Sequence, residues 1–237
     1  MTKILVIPDV HLKPFIFERV AQLMRENVAD RAVSLGDLAD DHRKKKNISL
    51  YAETYDAAIS FAKEFPETLW CYGNHDYSYL ANQLHSGYSH FAHNTVVRKE
   101  NELTEAMPDK SHYAFIHRID DVLFLHAGLC DYFAKTYCTA SAYRNPNKLI
   151  DEINRLEPSD LWTNYSPIWF RPQYSKEKMY KPKKLLQVVG HTPMECPTRE
   201  KNVLSCDVFL KLENGKPYGS EEFTVVDTET WDFACMK

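Results

Sequence analysis

The chain has 237 residues, 44% of them hydrophobic, which is enough for one large domain or two small ones without disulfide support. Lysine and arginine number 29 against 33 aspartates and glutamates, so the formal net charge of −4 does not indicate a nucleic-acid or anionic-membrane partner. No apolar run approaches the roughly 20 residues of a membrane span, and six cysteines without C-x-x-C pairing are typical of a cytoplasmic protein with ordinary thiols.

The first third of the chain alternates between short β-type runs and helical patterns. Apolar runs predict strands at residues 4–7, 32–35 and 68–72. Apolar residues at three-to-four spacing predict helices over residues 15–27 and 50–65. This order favours a largely parallel α/β sheet.

The remainder of the chain has a more mixed pattern. Residues 113–119 and 122–125 resemble neighbouring strands joined at Asp120-Asp121, and a helical and loop stretch follows over residues 132–170. Further strands are predicted near residues 186–189, 203–206 and 223–226. Because there is no internal repeat or Gly/Ser linker, we expect a single domain over residues 1–237.

Five short polar clusters each follow an apolar run. In open α/β sheets, ligands bind beyond the carboxyl ends of the strands, which is where these clusters lie. Their side chains all offer oxygen or imidazole nitrogen, a donor set that suits two divalent ions such as Mn²⁺, Fe or Zn²⁺. The residues are Asp9, His11, Asp37, Asp40, Asn74, His75, His126 and His191.

Glycine is scarce, with only 7 residues in the chain. Four of them, Gly36, Gly73, Gly128 and Gly190, belong to the polar clusters. Since glycine permits sharp turns and close backbone approach, this placement predicts that the strand ends form one crowded site.

The motifs, taken in order, resemble the calcineurin-like metallophosphoesterases. They are Asp-x-His at residues 9–11, Gly-Asp-x-x-Asp at 36–40, Gly-Asn-His-Asp at 73–76, His-Ala-Gly at 126–128 and Gly-His-Thr at 190–192. The last two, with Ile-Trp-Phe-Arg at 168–171, are most similar to the phosphoprotein phosphatase branch, which includes phage-type Ser/Thr phosphatases and bacterial dinucleoside tetraphosphatases. The resemblance implies an α/β (α+β) fold, in which two mixed β-sheets pack as a sandwich flanked by helices. A dinuclear metal site would lie at the carboxyl ends of the strands.

The resemblance also implies metal ligands. The first ion would be held by Asp9, His11 and Asp37. The second would be held by Asp37, Asn74, His126 and His191. Mn²⁺ is the favoured metal, with Fe or Zn²⁺ as alternatives, and the paired ions would activate a water and neutralise phosphoryl charge.

The same resemblance implies catalytic roles. His75 would protonate the leaving oxygen, and Asp40 would hold the imidazole of His75 in the donor tautomer. Arg171 is the candidate phosphate clamp, because a guanidinium binds phosphate oxygens bidentately.

One position departs from the phosphoprotein phosphatase pattern. That branch continues Gly-Asp-x-x-Asp with Arg-Gly, whereas Asp41 and His42 follow here. Either Arg43 or His42 supplies the missing cation, or the substrate carries less negative charge than a phosphomonoester.

Three functions therefore stay open. The first is two-metal hydrolysis of a phosphomonoester, as in a protein Ser/Thr phosphatase, on a phosphorylated protein, nucleotide or small phosphoester. The second is hydrolysis of a diester or phosphoanhydride, such as a dinucleoside polyphosphate or a nucleic-acid end. The third is a non-catalytic binding scaffold, which a complete set of expected ligands disfavours.

Other conspicuous residues favour structural interpretations. The basic run at residues 42–46 is typical of a solvated loop, although it could also steer an anionic substrate. His85, His90 and His93 have no carboxylate or cysteine companions, which favours a surface segment over a metal cluster.

Overall fold

Two mixed β-sheets form the centre of the protein, whose computed structural model describes residues 2–237. One sheet has the strand order β11-β10-β1-β2-β3-β4 and the other β5-β6-β7-β9-β8. The strands are β1 (Lys3–Ile7), β2 (Arg31–Ser34), β3 (Leu69–Cys71), β4 (Tyr113–Ala114), β5 (Ile116–Ile119), β6 (Val122–Leu125), β7 (Leu186–Val189), β8 (Thr198–Glu200), β9 (Val203–Ser205), β10 (Phe223–Asp227) and β11 (Phe233–Met236).

Helices cover the outer faces of both sheets. They are α1 (Phe15–Arg25), α2 (Ile48–Glu64), α3 (Asn74–Leu80), α4 (His93–Ala106), α5 (Asp131–Tyr137), α6 (Ala140–Arg144), α7 (Pro146–Ile153) and α8 (Pro158–Leu161). The first two and α4 pack on the six-stranded sheet, and α5 to α8 pack on the five-stranded sheet. Among residues 2–237, no helix has both the length and the apolar character that crossing a membrane requires.

Each sheet contains a run of parallel strands. In the larger sheet β1, β2, β3 and β4 run parallel, β10 pairs antiparallel with β1, and the edge strand β11 pairs antiparallel with β10. In the smaller sheet β6, β7 and β9 run parallel, and β5 and β8 are antiparallel. Strands covered on both faces need apolar residues at successive positions, which explains the unbroken runs at β1 and β6.

The two sheets pack face to face through a shared apolar layer. Ile4, Val33 and Cys71 from the larger sheet contact the same buried cluster as Phe124 and Val188 from the smaller sheet. The expected sandwich of two mixed sheets flanked by helices is therefore confirmed. This packing brings the carboxyl ends of β1, β2 and β3 next to those of β6 and β7.

The structure differs from the predicted elements in one strand, and it contains two helices and two short strands that the sequence did not predict. The strand predicted over residues 113–119 is wrong as a single element, because the chain leaves one sheet after Ala114 and enters the other at Ile116. The helices α3 and α4 were not predicted, since the Gly-Asn-His-Asp motif and the polar character of residues 93–106 conceal their apolar positions. The short edge strands β8 and β11 also lack an alternating pattern.

Candidate metal centre

The expected site residues lie at the carboxyl ends of parallel strands from both sheets. Asp9 and His11 follow β1, Asp37 and Asp40 follow β2, and Asn74 and His75 begin α3 directly after β3. His126 follows β6 and His191 follows β7 in the other sheet. The expected ligands therefore lie together at one edge of the sandwich although they are far apart in the chain. The amide of His191, for example, donates to Oδ2 of Asp9 over 2.9 Å, and these two residues are 182 positions apart.

Hydrogen bonds between the strand-end loops fix their relative positions. The amides of Val10 and His11 donate to the carbonyl of Asp37 over 3.0 and 2.8 Å. The amides of Leu38 and Ala39 donate to Oδ1 of the buried Asp76 over 2.8 and 3.0 Å. Asp76 therefore joins the loop after β2 to the beginning of α3.

Several residues of the site adopt left-handed backbone conformations. Their φ angles are +44° at His11, +52° at Asp37, +67° at Asp40 and +62° at His191. Such conformations are unfavourable for residues with a Cβ atom and are concentrated at functional sites in proteins. Their clustering here indicates that the loops are shaped to direct side chains into one space.

The imidazole of His126 faces three lone-pair donors. Its Nδ1 lies 2.8 Å from the carbonyl of Leu35 and must carry the proton, which leaves a lone pair on Nε2. That Nε2 lies 2.9 Å from Asn74 Oδ1, 3.1 Å from His191 Nδ1 and 3.4 Å from Asp37 Oδ2. Burial lowers the pKa of His126 to about 3, so the ring is neutral. Four converging ligand atoms of this kind fit a divalent cation.

A second group of ligand atoms approaches the same oxygen of Asp37, Oδ2. Nδ1 of His11 donates to the carbonyl of Asp40 over 2.9 Å, so its Nε2 lone pair faces Asp37 Oδ2 at 3.6 Å. The ligand atoms of His11, Asp37 and His75 lie within 4.8 Å of one another, as do those of Asp37, His126 and His191. Asp37 belongs to both groups, which is what a bridging carboxylate requires.

Asp9 is buried beside these groups but its carboxylate lies outside them. Oδ2 accepts the amide of His191, while Oδ1 has no hydrogen-bond partner among residues 2–237. A buried carboxylate oxygen without a partner is costly, and a metal ion would satisfy it.

The electrostatics of the site also fit bound cations. Burial and the neighbouring Asp207 raise the pKa of Asp9 well above its usual range, and burial together with Asp9 and Asp76 does the same for Asp37. Divalent ions would reverse these shifts by compensating the clustered negative charge. The residues present therefore fit two metal ions.

His75 and Asp40 form a hydrogen-bonded pair at the edge of the site. Nδ1 of His75 lies 3.0 Å from Asp40 Oδ2, and the Asp40 Oδ1 atom accepts the hydroxyls of Tyr51 and Tyr79 over 2.8 and 2.6 Å. Burial opposes ionisation of Asp40, but hydrogen bonds from His75, His85 and Tyr79 outweigh it and hold the pKa of that carboxyl below its usual range. Asp40 is thus an anion that directs Nε2 of His75 toward the cleft.

The cleft above these residues has a volume of about 500 Å³ and contains all three expected substrate-binding residues. Arg171 donates from Nη1 to the carbonyl of His191 over 2.6 Å and to Thr192 Oγ1 over 3.1 Å. Arg43 forms hydrogen bonds from Nε and Nη2 to Asp41, each 3.1 Å long. His42 lines the cleft with its neighbours.

Two buried charged residues of the cleft were absent from the predicted site. Lys13 and Asp207 are buried and line the cleft. Asp207 follows β9 just as the predicted ligands follow their strands, so the strand-end pattern could have identified it. Burial lowers the pKa of Lys13 to about 8 and raises that of Asp207 to about 6.

The interpretation of His85 as a surface residue is wrong. Its side chain is only 7% exposed and lies against His75, with ring centroids 4.3 Å apart. The sequence shows no companion ligand within this segment because the companions, Asp40 and Ser78, come from other elements.

A family model described as calcineurin-like phosphoesterase matches residues 2–222. Among curated proteins, none matches the chain significantly.

Solved structures with the same fold cover nearly the whole chain. The cold-active protein-tyrosine phosphatase of a Shewanella species has a TM-score of 0.58 at 16% identity, over 100% of this chain and 81% of that one. A protein serine/threonine phosphatase from Saccharomyces cerevisiae has a TM-score of 0.53 at 14% identity, over 95% and 72%. A hypothetical protein from Pyrococcus horikoshii has a TM-score of 0.51 at 12% identity, over 100% and 88%. At these identities the likeness concerns the fold.

Proposed function

The chain belongs to the calcineurin-like phosphoesterase family of metal-dependent hydrolases, and we propose that it hydrolyses phosphomonoesters. The observation that carries this proposal is the convergence of ligand atoms from both sheets on Nε2 of His126, beside the hydrogen-bonded pair His75 and Asp40. Two structures that share the fold are described as protein phosphatases, which makes phosphoproteins the first substrates to test.

We propose that two divalent ions, with Mn²⁺ favoured, bind this edge. The ligands of the first would be Asp9, His11 and Asp37. The ligands of the second would be Asp37, Asn74, His126 and His191. When bound, such ions supply an activated water and neutralise charge on the phosphoryl oxygens.

The protein side chains would complete the reaction around the phosphoryl group. His75 would donate a proton from Nε2 to the departing oxygen, and Asp40 would fix the tautomer and stabilise the positive ring. Burial lowers the pKa of His75, which favours release of that proton. Arg171 would bind a phosphoryl oxygen through Nη2, which makes no hydrogen bond within residues 2–237.

The acidic residue at position 41 is compatible with a dianionic substrate. Asp41 is bonded to the guanidinium of Arg43 through both of its carboxylate oxygens, so its charge is largely neutralised. Lys13 and Arg171 line the same cleft and add positive charge. These contacts favour a monoester over the diester or phosphoanhydride alternative, in which the substrate carries less charge per phosphoryl group.

A substrate comparison tests the proposal directly. Metal-loaded protein would be assayed with p-nitrophenyl phosphate, bis(p-nitrophenyl) phosphate, diadenosine tetraphosphate and a phosphopeptide, with Asp37→Asn as the matched negative control. We expect kcat/KM for the monoesters to exceed that for the diester. Exclusive activity on the tetraphosphate or the diester would contradict the monoester assignment, and two bound ions without hydrolysis of any substrate would favour a binding scaffold.

We also propose a cytoplasmic location. Six cysteines without a pairing pattern are typical of a reducing compartment, and Cys71, Cys130 and Cys206 are buried as free thiols.

A further inference from the structure

His85 makes directional contacts that define which of its ring nitrogens carries the proton. The amide of Gly87 donates to Nδ1 of His85 over 3.0 Å, so Nδ1 is the acceptor and Nε2 carries the hydrogen. That Nε2 lies 3.1 Å from Ser78 Oγ and 3.5 Å from Asp40 Oδ2. The hydroxyl of Ser78 donates to the carbonyl of His75 over 2.7 Å and is therefore open to accept from His85.

The same segment packs directly on the imidazole of His75. The ring of His85 meets it edge-on, with an angle of 84° between the ring planes. Gly87 lies so close that a Cβ atom there would be 2.7 Å from Nδ1 of His75 and 2.8 Å from Cε1 of His85. A side chain at position 87 would therefore push against the rings of His75 and His85, so their packing requires glycine there.

Further bonds attach the segment to Asp40 and to the loop after β2. The amide of Ser89 donates to the hydroxyl of Tyr79 over 2.9 Å, and that hydroxyl donates to Asp40 Oδ1. The ammonium group of Lys45 donates to the carbonyl of Ser86 over 2.5 Å. Residues 85–89 thus reach both oxygens of Asp40 from a loop that contributes no predicted metal ligand.

We propose that His85 is a positioning residue that holds His75 and Asp40 in the geometry for protonating the leaving oxygen. It would act through its Nε2 hydrogen, which is shared between Ser78 and Asp40, and through the edge of its ring against His75. This inference rests on the proposed hydrolase function and concerns the proton-transfer step alone. A residue with this role matters most when the leaving oxygen is a poor leaving group, since good leaving groups depart without a proton.

The test compares leaving groups. The ratio of kcat/KM for p-nitrophenyl phosphate to that for phenyl phosphate would be measured in the wild type, His85→Ala, His85→Gln and Gly87→Ala. We expect His85→Ala and Gly87→Ala to increase this ratio by about tenfold, because the slower substrate loses assistance from a misplaced acid. His85→Gln keeps an N–H donor, so its ratio should lie close to that of the wild type. His75→Ala sets the upper limit of the increase in this ratio, because it removes the acid itself, whose contribution is worth about 10² to 10⁴-fold.

Three controls separate positioning from general damage. His90→Ala changes an exposed histidine of the same loop and should leave the ratio unchanged. Metal content measured by mass spectrometry should stay at the wild-type value in every His85 variant. Two variants at different positions keep the test informative if one of them folds poorly.

Several outcomes would overturn the inference. An unchanged ratio in folded His85→Ala, while the wild type is active, would remove His85 from the mechanism and leave the proposed function intact. A third bound ion that disappears in His85→Ala would show that Asp40, His75 and His85 bind metal, which excludes a donating Nε2. Inactive wild-type protein on all phosphoesters would overturn both proposals.

Discussion

The residue type at some positions of the site is restricted by close packing as well as by the need for a ligand atom. Gly190 is the clearest case, because its amide donates to the carbonyl of His126 over 2.8 Å while its Cα faces the carboxylate of Asp9. A Cβ atom added there would overlap Asp9 Oδ1 and lie 3.1 Å from Cγ. The carboxylate that the first proposed ion needs would therefore have to shift if position 190 carried a Cβ atom.

We predict that Gly190→Ala weakens binding of Mn²⁺ by about tenfold or more, because Asp9 must be displaced from its bond to His191. Isothermal titration calorimetry would measure the change. Gly215→Ala is the matched control, since a Cβ atom there meets no other atom within 4 Å, although its φ of +80° makes the substitution somewhat destabilising. Equal metal affinity in Gly190→Ala and the wild type would contradict the close-contact explanation.

At the scale of elements, α4 is attached to α2 by a buried polar contact behind the site. The hydroxyl of Tyr55 donates to Glu100 Oε1 over 2.6 Å, and both side chains are buried. Burial and the charge of Asp76 raise the pKa of Glu100 to about 8, and the bond from Tyr55 offsets only part of this. Glu100 is thus protonated in the folded protein at neutral pH but ionised in the unfolded chain.

This difference predicts a pH-dependent stability. Because the folded state binds the proton more tightly, the contribution of Glu100 is favourable at pH values below about 4.5 and is lost as the pH rises toward about 8. Glu100→Gln should remove this loss, so that the variant gains roughly 3.5 kcal/mol relative to the wild type between pH 5 and pH 8. Urea unfolding of both proteins at pH 5 and pH 8 would measure this difference in the free energy of unfolding. Glu105 is an exposed residue of the same helix, so Glu105→Gln should leave the pH dependence of the free energy of unfolding unchanged. The same pH slope in Glu100→Gln and the wild type would refute the assignment.

At the scale of the whole molecule, the candidate metal centre joins the two sheets. Asn74 and Asp37 come from the six-stranded sheet, whereas His126 and His191 come from the five-stranded sheet. An ion held by all four is bound only when the sheets are packed together, so its binding energy stabilises the assembled sandwich. We propose on this basis, and on the shared apolar layer, that residues 1–237 form one domain.

Metal removal should consequently lower the melting temperature. Mn²⁺ at 100 times its Kd contributes about 2.7 kcal/mol, which corresponds to roughly 5 to 10 °C for a chain of this size. Calorimetry with Mn²⁺ and with EDTA should show a single transition that shifts by this amount. Asp37→Asn should show a much smaller shift. Two separate transitions, or a melting temperature that Mn²⁺ leaves unchanged, would contradict this account.

The sequence by itself determined the strands that carry the site and the kinds of side chain at their ends. The run at residues 4–7 is apolar at every position, and the runs at 32–35 and 186–189 are each interrupted by one polar residue, Ser34 and Gln187, because both faces of these strands are covered. The polar residues directly after them are recognisable for the same reason. These local motifs therefore carried the resemblance to the family, and the resemblance implied the proposed ligands.

Only the tertiary structure decided which residues from distant elements accompany them. His85 carries no local pattern, since Asp40 is 45 positions away and reaches it only when α3 and the loop after β2 pack together. Asp207 and Lys13 likewise line one cleft only because the loops after β9 and β1, which belong to different sheets, lie next to each other. Side-chain contacts of this kind depend on sheet packing and on left-handed turns at Asp37 and Asp40, which neither periodicity nor composition encodes.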